Sequence, residues 1–153
     1  MLIVLHLDIS FGCIKFIEGY HELKIIQDYE NQEVMADLDE ERYYGNHEYK
    51  LKLVNSSGDR VLHLSTQMKF RMQEGNGEAF YEIGVKDNGE AYGLDQHEME
   101  TSLCIIYRMA HSLKAELTLL NIKKGKCGEI AQLMVRQNVS LKHKTSKSEC
   151  SDL

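Results

Sequence analysis

The sequence predicts an α+β domain in which two helices cover one face of a mostly antiparallel sheet, the split βαβ arrangement also called ferredoxin-like. Residues 49–54 alternate apolar and basic side chains. Apolar residues recur every three or four positions in two later segments, and an Asn-Gly pair stands between two apolar runs. In chain order these patterns predict β-α-β-β-α-β-β from residue 49 onward.

The first two predicted elements are a strand and a helix. Residues 49–54, YKLKLV, have the two-residue period of a strand with one solvated face. The NSSG that follows supplies helix-capping side chains. Helical spacing then links four apolar residues, Val61, Leu64, Met68 and Met72. Gly75 stands where a left-handed residue commonly ends a helix.

A hairpin is predicted next. Strand patterns at residues 79–85 and 91–94 flank KDNG. Asn88 and Gly89 predict a type I′ turn, because both central residues of that turn need positive φ and these two residue types tolerate it.

The second helix begins immediately after this hairpin. Asp95 and Glu98 have the spacing of a capping box, in which each side chain bonds the other residue's backbone amide. Apolar residues then follow at helical spacing, at Met99, Leu103, Ile106, Tyr107, Ala110 and Leu113. Residues 115–122 and 129–137 are two further strands, joined by the basic turn KKGKCG.

Three regions are predicted along the chain. Residues 1–48 combine an apolar strand segment with an acidic arm, 49–138 form the α+β accessory domain, and 139–153 form a basic, disordered tail. The first apolar run is shorter than the about 20 residues of a membrane span. It also lacks the basic start and the cleavage site of a signal peptide. We therefore expect no membrane association.

Charge is distributed unevenly within a net charge of −6. Residues 18–48 hold ten acidic residues and two basic ones, whereas residues 123–147 hold seven basic residues and one acidic one. These regions could bind different partners or simply be solvated. The four cysteines are far apart and form no CxxC pair, which argues against a disulfide framework and favours a reducing compartment.

The acidic residues around KDNG suggest a metal site, but the spacing excludes one. A calcium loop aligned on the glycine of KDNG would place Gly84 and Lys86 at ligand positions where neither offers a side-chain oxygen. His97, Cys104 and His111 recur every seven residues, about 10.5 Å along a helix, so neighbours cannot share one zinc ion.

Nucleotide and catalytic motifs are also missing from the sequence. GNGEAF follows a helix and precedes a strand, the reverse of the dinucleotide-binding order. No GxxxxGK[ST], GxSxG or HExxH occurs. We therefore predict no catalytic, cofactor-binding or metal-binding residues and no enzyme activity.

Basic side chains form the candidate binding surface. Aromatic residues at 70, 80, 81 and 92 could offer stacking planes beside them. The alternative is that these lysines are a solvated sheet face and the aromatics are core. The candidate RNA- or partner-binding residues are Lys50, Lys52, Lys69, Arg71, Lys123, Lys124 and Lys126.

The motifs together resemble a known family. YKLKLV at 49–54, TQMKFRMQEGNGEAFYEIGVKDNG at 66–89 and GLDQHEMETSL at 93–103 are similar to the N-terminal domain of the translational GTPases called GTP-binding proteins 1 and 2. The resemblance runs nearly without gaps from about residue 49 to residue 136. The first 48 residues carry no part of it.

The resemblance implies a cytoplasmic protein of translation, ribosome quality control or mRNA turnover. In that family a phosphate loop follows this domain, whereas here MVRQ leads into a polar tail, so we expect a chain truncated before the GTPase domain. GTP and Mg²⁺ belong to the full-length family, and no cofactor is expected in this chain.

Two functions are therefore predicted. The first is binding of RNA, the ribosome or the mRNA-decay machinery through Lys50 and Lys52 on the sheet face and through the basic turn. The second is docking on a GTPase domain and regulating it, through an apolar edge at IAQLMV. Residual GTP hydrolysis is a third, weaker alternative.

Overall fold

A computed structural model describes residues 3–4, 33–54 and 57–138. Its strands and helices, in chain order, are β1 Ile3–Val4, β2 His47–Lys50, α1 Gly58–Glu74, β3 Glu78–Ile83, α2 Gln96–Ser112, β4 Ala115–Lys124 and β5 Glu129–Gln137. The predicted α+β class is confirmed, with the order β-α-β-α-β-β from β2 onward.

The five strands form one mixed sheet in the order β1-β4-β5-β3-β2. β2 pairs with β3 in parallel, and the other three pairings are antiparallel. Because β3 and β4 are both antiparallel to β5, they are parallel to each other with β5 between them. The unit β3-α2-β4 is therefore a split βαβ unit, as the sequence predicts.

Both helices begin where the sequence predicts. The Ser57 hydroxyl accepts a hydrogen bond from the Arg60 amide at the start of α1. At the start of α2, the Asp95 carboxylate accepts from the Glu98 amide at 2.8 Å, and the Glu98 carboxylate accepts from the Asp95 amide. The predicted capping box is confirmed, and it satisfies amides that a helix leaves without a partner.

The core lies between the two helices and one face of the sheet. Alternate residues of β3 and β5 point into it, because successive side chains on a strand face opposite sides. The fully or almost fully buried core side chains include Met68, Ala79, Tyr81, Ile83, Ile106, Met109, Leu133 and Val135. For α1, α2, β3 and β5, the residues that predicted the element are therefore largely the residues that fill the core.

The region after β3 differs from the prediction in two ways. Residues 91–94 form no strand; they contribute single bridges, Val85 to Ala91 and Leu94 to Glu129. The turn is also not type I′, because only Gly89 of the Asn-Gly pair has positive φ. The Gly89 amide donates to the Lys86 carbonyl at 2.8 Å, which fits a type I turn followed by a left-handed glycine.

The stretch predicted as an acidic arm packs on the domain from residue 33 onward. We call residues 33–46 the acidic strap. Its backbone amides at Met35, Leu38 and Glu41 donate to carbonyls of Lys124, Gly89 and Asp87, each at 2.8 Å. The packed body therefore begins well before residue 49. The remainder of the predicted arm, 5–32, and the predicted tail, 139–153, lie outside the described residues.

A second small core lies beneath the strap. Val85, Ala91 and Ile130 are fully buried there, and strap residues Met35 and Leu38 pack against them. A Cβ added to Gly89 would lie 2.1 Å from the Leu38 carbonyl oxygen. Position 89 therefore requires glycine for two reasons: the strap approaches its backbone closely, and its φ of 89° is positive.

Candidate interaction surfaces

Arg71 is an interior residue that fixes the strap to α1. Its side chain is only 6% exposed. The guanidinium donates to the carboxylates of Glu48 and Glu41 and to three backbone carbonyls, those of Arg42, Tyr44 and Gly45. All five N–H donors of an arginine are thus occupied. Although the sequence places Arg71 among the candidate binding residues, the structure commits its guanidinium to the fold.

Lys50 and Lys52 do not line an open strand face. β2 ends at Lys50, which pairs in register with the core residue Ile83, so Lys50 lies on the helix-covered side. Its ammonium group pairs with Glu48 at 2.8 Å. Lys52 follows the strand and pairs with Glu98 at 3.1 Å. The predicted strand 49–54 is therefore observed only up to Lys50, and ion pairs within the domain hold both lysines.

Lys69 lies at the opposite end of the sheet from the basic turn. Lys69 and Gln137 line a cleft of about 340 Å³ at the end of α1, together with residues 72–73 and 76–77. Lys123, Lys124 and Lys126 precede or flank the start of β5 at Glu129. The nine residues of β5 extend roughly 25–30 Å at the usual rise of a strand. The predicted basic residues therefore form no continuous patch.

The basic turn adjoins a lysine–tyrosine patch, which we define as Lys86, Tyr92 and Lys126. The Lys86 ammonium lies 4.6 Å from the centre of the Tyr92 ring, a distance at which a cation is attracted to the ring face. The amide of Cys127 donates to the Tyr92 carbonyl at 2.6 Å. Carboxylates are interleaved, since Lys126 pairs with Asp37 at 3.0 Å and Lys86 with Glu90 at 2.9 Å.

The helix-free face of the sheet carries a mixed polar surface. The ring of His47 stacks on Phe80 at 5.1 Å, and Arg136 pairs with Glu78 at 2.7 Å. Burial, followed by the nearby Arg71 charge, lowers the pKa of His47. Tyr81, also considered as a stacking residue, is buried in the core. This face therefore offers one accessible stacked pair without a stripe of cations.

The outer face of α1 carries exposed apolar side chains. Leu62 is 69% exposed and Phe70 is 43% exposed. Thr66 lies between them, so the three recur every four residues along one side of the helix, spanning about 12 Å. We call Leu62, Thr66 and Phe70 the α1 stripe. These exposed apolar side chains make the outer face of α1 a candidate interaction surface.

The residues weighed as metal ligands are not brought together. Within residues 33–54 and 57–138 no group of three histidine, cysteine or acidic side chains could hold a metal ion. His111 instead stacks on Tyr107, with ring centres 5.9 Å apart. No helix in the described part of the chain is long and apolar enough to cross a membrane.

The fold and these surfaces describe a small α+β domain that has an apolar stripe on one helix and a lysine–tyrosine patch at one end of its sheet. The chain is similar to part of GTP-binding protein 2 from Mus musculus and from Homo sapiens, with 58% identity over 76 residues. It is also similar to part of GTP-binding protein 1 from Xenopus laevis, with 34% identity over 90 residues.

These matches cover a small part of the relatives. The matched segment is 50% of this chain but 13% of GTP-binding protein 2, and 59% of this chain but 14% of GTP-binding protein 1. No family model and no solved structure matches the chain. The predicted resemblance is confirmed as a partial match to these GTP-binding proteins.

Proposed function

We propose that the chain acts as a non-catalytic accessory domain of a GTP-binding protein and docks on the GTP-binding part of such a protein. The relatives are named for binding GTP, and the matched segment is about an eighth of their length. GTP and Mg²⁺ would then be bound by a part of the relatives outside this segment, and this domain would regulate that part.

The exposed α1 stripe carries this proposal. Neither Leu62 nor Phe70 belongs to the core of this domain. Complete burial of an exposed leucine or phenylalanine against a partner stabilises a complex by about 1.5–3 kcal/mol. The edge expected at IAQLMV cannot serve, because β5 lies between β3 and β4 and its Leu133 and Val135 are buried. The α1 stripe is therefore the better docking surface.

The length of the relatives indicates which partner would dock on the α1 stripe. A domain that matches 13% of a longer protein has covalently linked neighbours, and a linked neighbour meets a modest apolar patch at a high effective concentration. We take the occupant to be the part of such a protein that binds GTP, the property for which the relatives are named. A surface of this size therefore suffices for docking within one polypeptide.

Calorimetric titration of this chain with the rest of human GTP-binding protein 2 tests the proposal. Leu62→Ser and Phe70→Ser should each weaken the complex about tenfold, since each removes an apolar contact of about 1.4 kcal/mol. Val34→Ser is the matched control, because Val34 is also an exposed apolar residue but lies on the strap. Equal weakening by the control, or no weakening by either serine variant, would contradict docking through α1.

We propose contact with RNA or the ribosome as a second function, favoured by the lysine–tyrosine patch beside Lys123 and Lys124. An exposed ring with cations around it is a stacking platform for an unpaired base. The setting would be the cytoplasm, in translation, ribosome quality control or mRNA turnover. This function is placed second because ion pairs within the domain already hold four of the basic residues, Lys50, Lys52, Arg71 and Lys126.

Gel-shift titrations with single-stranded RNA and with ribosomes at several salt concentrations test this second function. Replacing Lys123, Lys124 and Lys126 together with glutamine should lower the salt slope by about 2, because each lost phosphate contact removes about 0.7. Lys69→Gln, at the other end of the sheet, should leave the slope unchanged. No binding at low salt would rule out the RNA function while leaving the docking proposal intact.

A further inference from the structure

A cleft of about 360 Å³ lies between the end of the acidic strap and β2. Its lining combines aromatic and acidic side chains, notably Asp39, Glu40, Tyr44, His47 and Tyr49. None of these residues belongs to the α1 stripe or to the lysine–tyrosine patch. The cleft is therefore a separate feature of the domain.

The tyrosines beside the cleft are exposed instead of serving the core. Tyr43 is 87% exposed and Tyr44 is 52% exposed, and their rings meet edge to face with centres 5.3 Å apart. Tyrosine is enriched where proteins bind partners, because a rigid ring offers contact area at little entropic cost. Two adjacent exposed tyrosines beside a cleft therefore indicate a contact surface.

The backbone that presents these rings is held in place without a partner. The carbonyl of Tyr44 accepts from Arg71 at 3.0 Å, and the carboxylate of Glu41 accepts from the Tyr49 amide at 2.9 Å. Both bonds join the strap to the body of the domain. A ligand entering the cleft would therefore meet an ordered surface and would not have to order it.

The charged side chains around the cleft determine whether it favours a positively or a negatively charged ligand. Asp39 and Glu40 are exposed there, and Arg42 is the single basic residue of the lining. Burial and then the carboxylates of Glu82, Asp39 and Glu41 raise the pKa of Tyr49. These carboxylates make the cleft unfavourable for a further negative charge and favourable for a cation.

The ring of Tyr44 already has a guanidinium near it. The Arg42 guanidinium carbon lies 5.9 Å from the centre of that ring, within the range of a cation–π contact. Arg42 is exposed, so a second guanidinium can replace it at modest cost. The chemistry of the cleft therefore suits arginine, which stacks on aromatic rings and pairs with carboxylates.

We propose that this cleft binds an arginine-bearing segment of a protein partner, with the guanidinium on the Tyr44 ring and in an ion pair with Asp39 or Glu40. Charge complementarity identifies this occupant, because the same carboxylates would repel an acidic segment or a nucleic-acid phosphate. The site is independent of docking through α1.

Fluorescence anisotropy of the full chain with a labelled nine-residue peptide of alternating arginine and glycine tests the proposal. The matched probe carries citrulline in place of arginine, which keeps the shape and removes the charge. We expect saturable binding of the arginine peptide at low salt, and at least about tenfold weaker binding of the citrulline peptide, since each charge-assisted bond lost weakens binding by that order.

Variants of the cleft locate the binding. Tyr44→Ala should weaken binding about two- to fivefold, the range expected for an exposed cation–π contact. Tyr44→Phe keeps the ring and should bind within about twofold of the unmodified chain. Asp39→Asn with Glu40→Gln should weaken binding and reduce its salt dependence.

Three outcomes would overturn the proposal: equal affinity for the citrulline peptide, unchanged affinity of Tyr44→Ala, or no saturable binding at low salt. Because Tyr44 is half exposed, Tyr44→Ala should keep the far-ultraviolet circular dichroism of the unmodified chain. If it does not, the variant Asp39→Asn with Glu40→Gln still decides the question, and unchanged binding by that variant would also overturn the proposal.

Discussion

Replacing Arg71 with methionine measures how much the strap contributes to the stability of the domain. Methionine keeps most of the length and apolar volume of the side chain but removes its charge and five hydrogen bonds. The buried Glu48 carboxylate is left with Lys50, 2.8 Å away, as an ion-pair partner. Three strap carbonyls also lose their donor.

The structure sets the expected size of this effect. Removing one partner of a buried ion pair typically destabilises a protein by about 3–5 kcal/mol. Lys50 still compensates Glu48, so we expect the lower end, about 3 kcal/mol. That is a large part of the about 5–15 kcal/mol that holds a whole domain folded. The exposed Arg136–Glu78 pair supplies the control, and Arg136→Met should lose less than about 1 kcal/mol.

Urea unfolding followed by circular dichroism gives the two free energies. The double variant Arg71→Met with Glu48→Met should be more stable than Arg71→Met alone, because it no longer buries a carboxylate that has lost its main partner. A loss for Arg71→Met no larger than that for Arg136→Met would refute the reasoning. It would mean that solvent replaces the guanidinium without penalty.

Three further perturbations can be checked by the same unfolding assay. Gly89→Ala should destabilise by at least about 2 kcal/mol, since its Cβ would overlap the Leu38 carbonyl. Gly45→Ala, also at positive φ but in open space, should lose only about 1 kcal/mol, and equal losses would contradict this difference. Asp95→Ala should lose about 1 kcal/mol with its capping box, and no loss would mean that water caps α2 equally well. Burial raises the pKa of the Glu82 carboxyl in the folded state. The protonated carboxyl therefore stabilises the fold below the pKa of the unfolded chain, and this stabilisation is lost as the pH rises through the pKa of the folded state. Glu82→Gln should therefore be more stable than the unmodified chain at neutral pH but not in acid, whereas a difference independent of pH would contradict the assignment.

The helices and the central strands could be predicted because their signals are local. Apolar spacing located α1 and α2, and the Asp95–Glu98 pair located the start of α2 to the residue. The strand patterns at residues 79–85 and 129–137 located β3 and β5. Each of these signals needs only neighbouring residues to bury one face or to satisfy one amide.

The strap could not be predicted because its partners are distant in sequence. Asp37 accepts from the Ala91 amide, 54 residues later, and Arg71 reaches back 23–30 residues to Glu48, Glu41 and the carbonyls between them. In the structure residues 33–46 form neither helix nor strand, and their backbone amides bond single carbonyls of Asp87, Gly89 and Lys124.

The candidate basic surface depended on the same distant contacts. Lys52 pairs with Glu98, 46 residues away, and Lys126 with Asp37, 89 residues away. The sequence shows which residues are basic, but it does not show which of their charges are neutralised by ion pairs with distant carboxylates. The hairpin failed for a related reason: residues 91–94 bond the turn before β5 and not only their own neighbour.

The position of β5 constrains the order in which the domain can form. β5, the last strand in the described part of the chain, fills the gap between β3 and β4, so without β5 the parallel strands β3 and β4 would have open edges facing each other. Sheet closure must wait until residue 137 has been synthesised and is free to insert. Until then those edges are available to other unpaired strands. Emergence of the last strand is therefore expected to decide when this domain becomes resistant to aggregation.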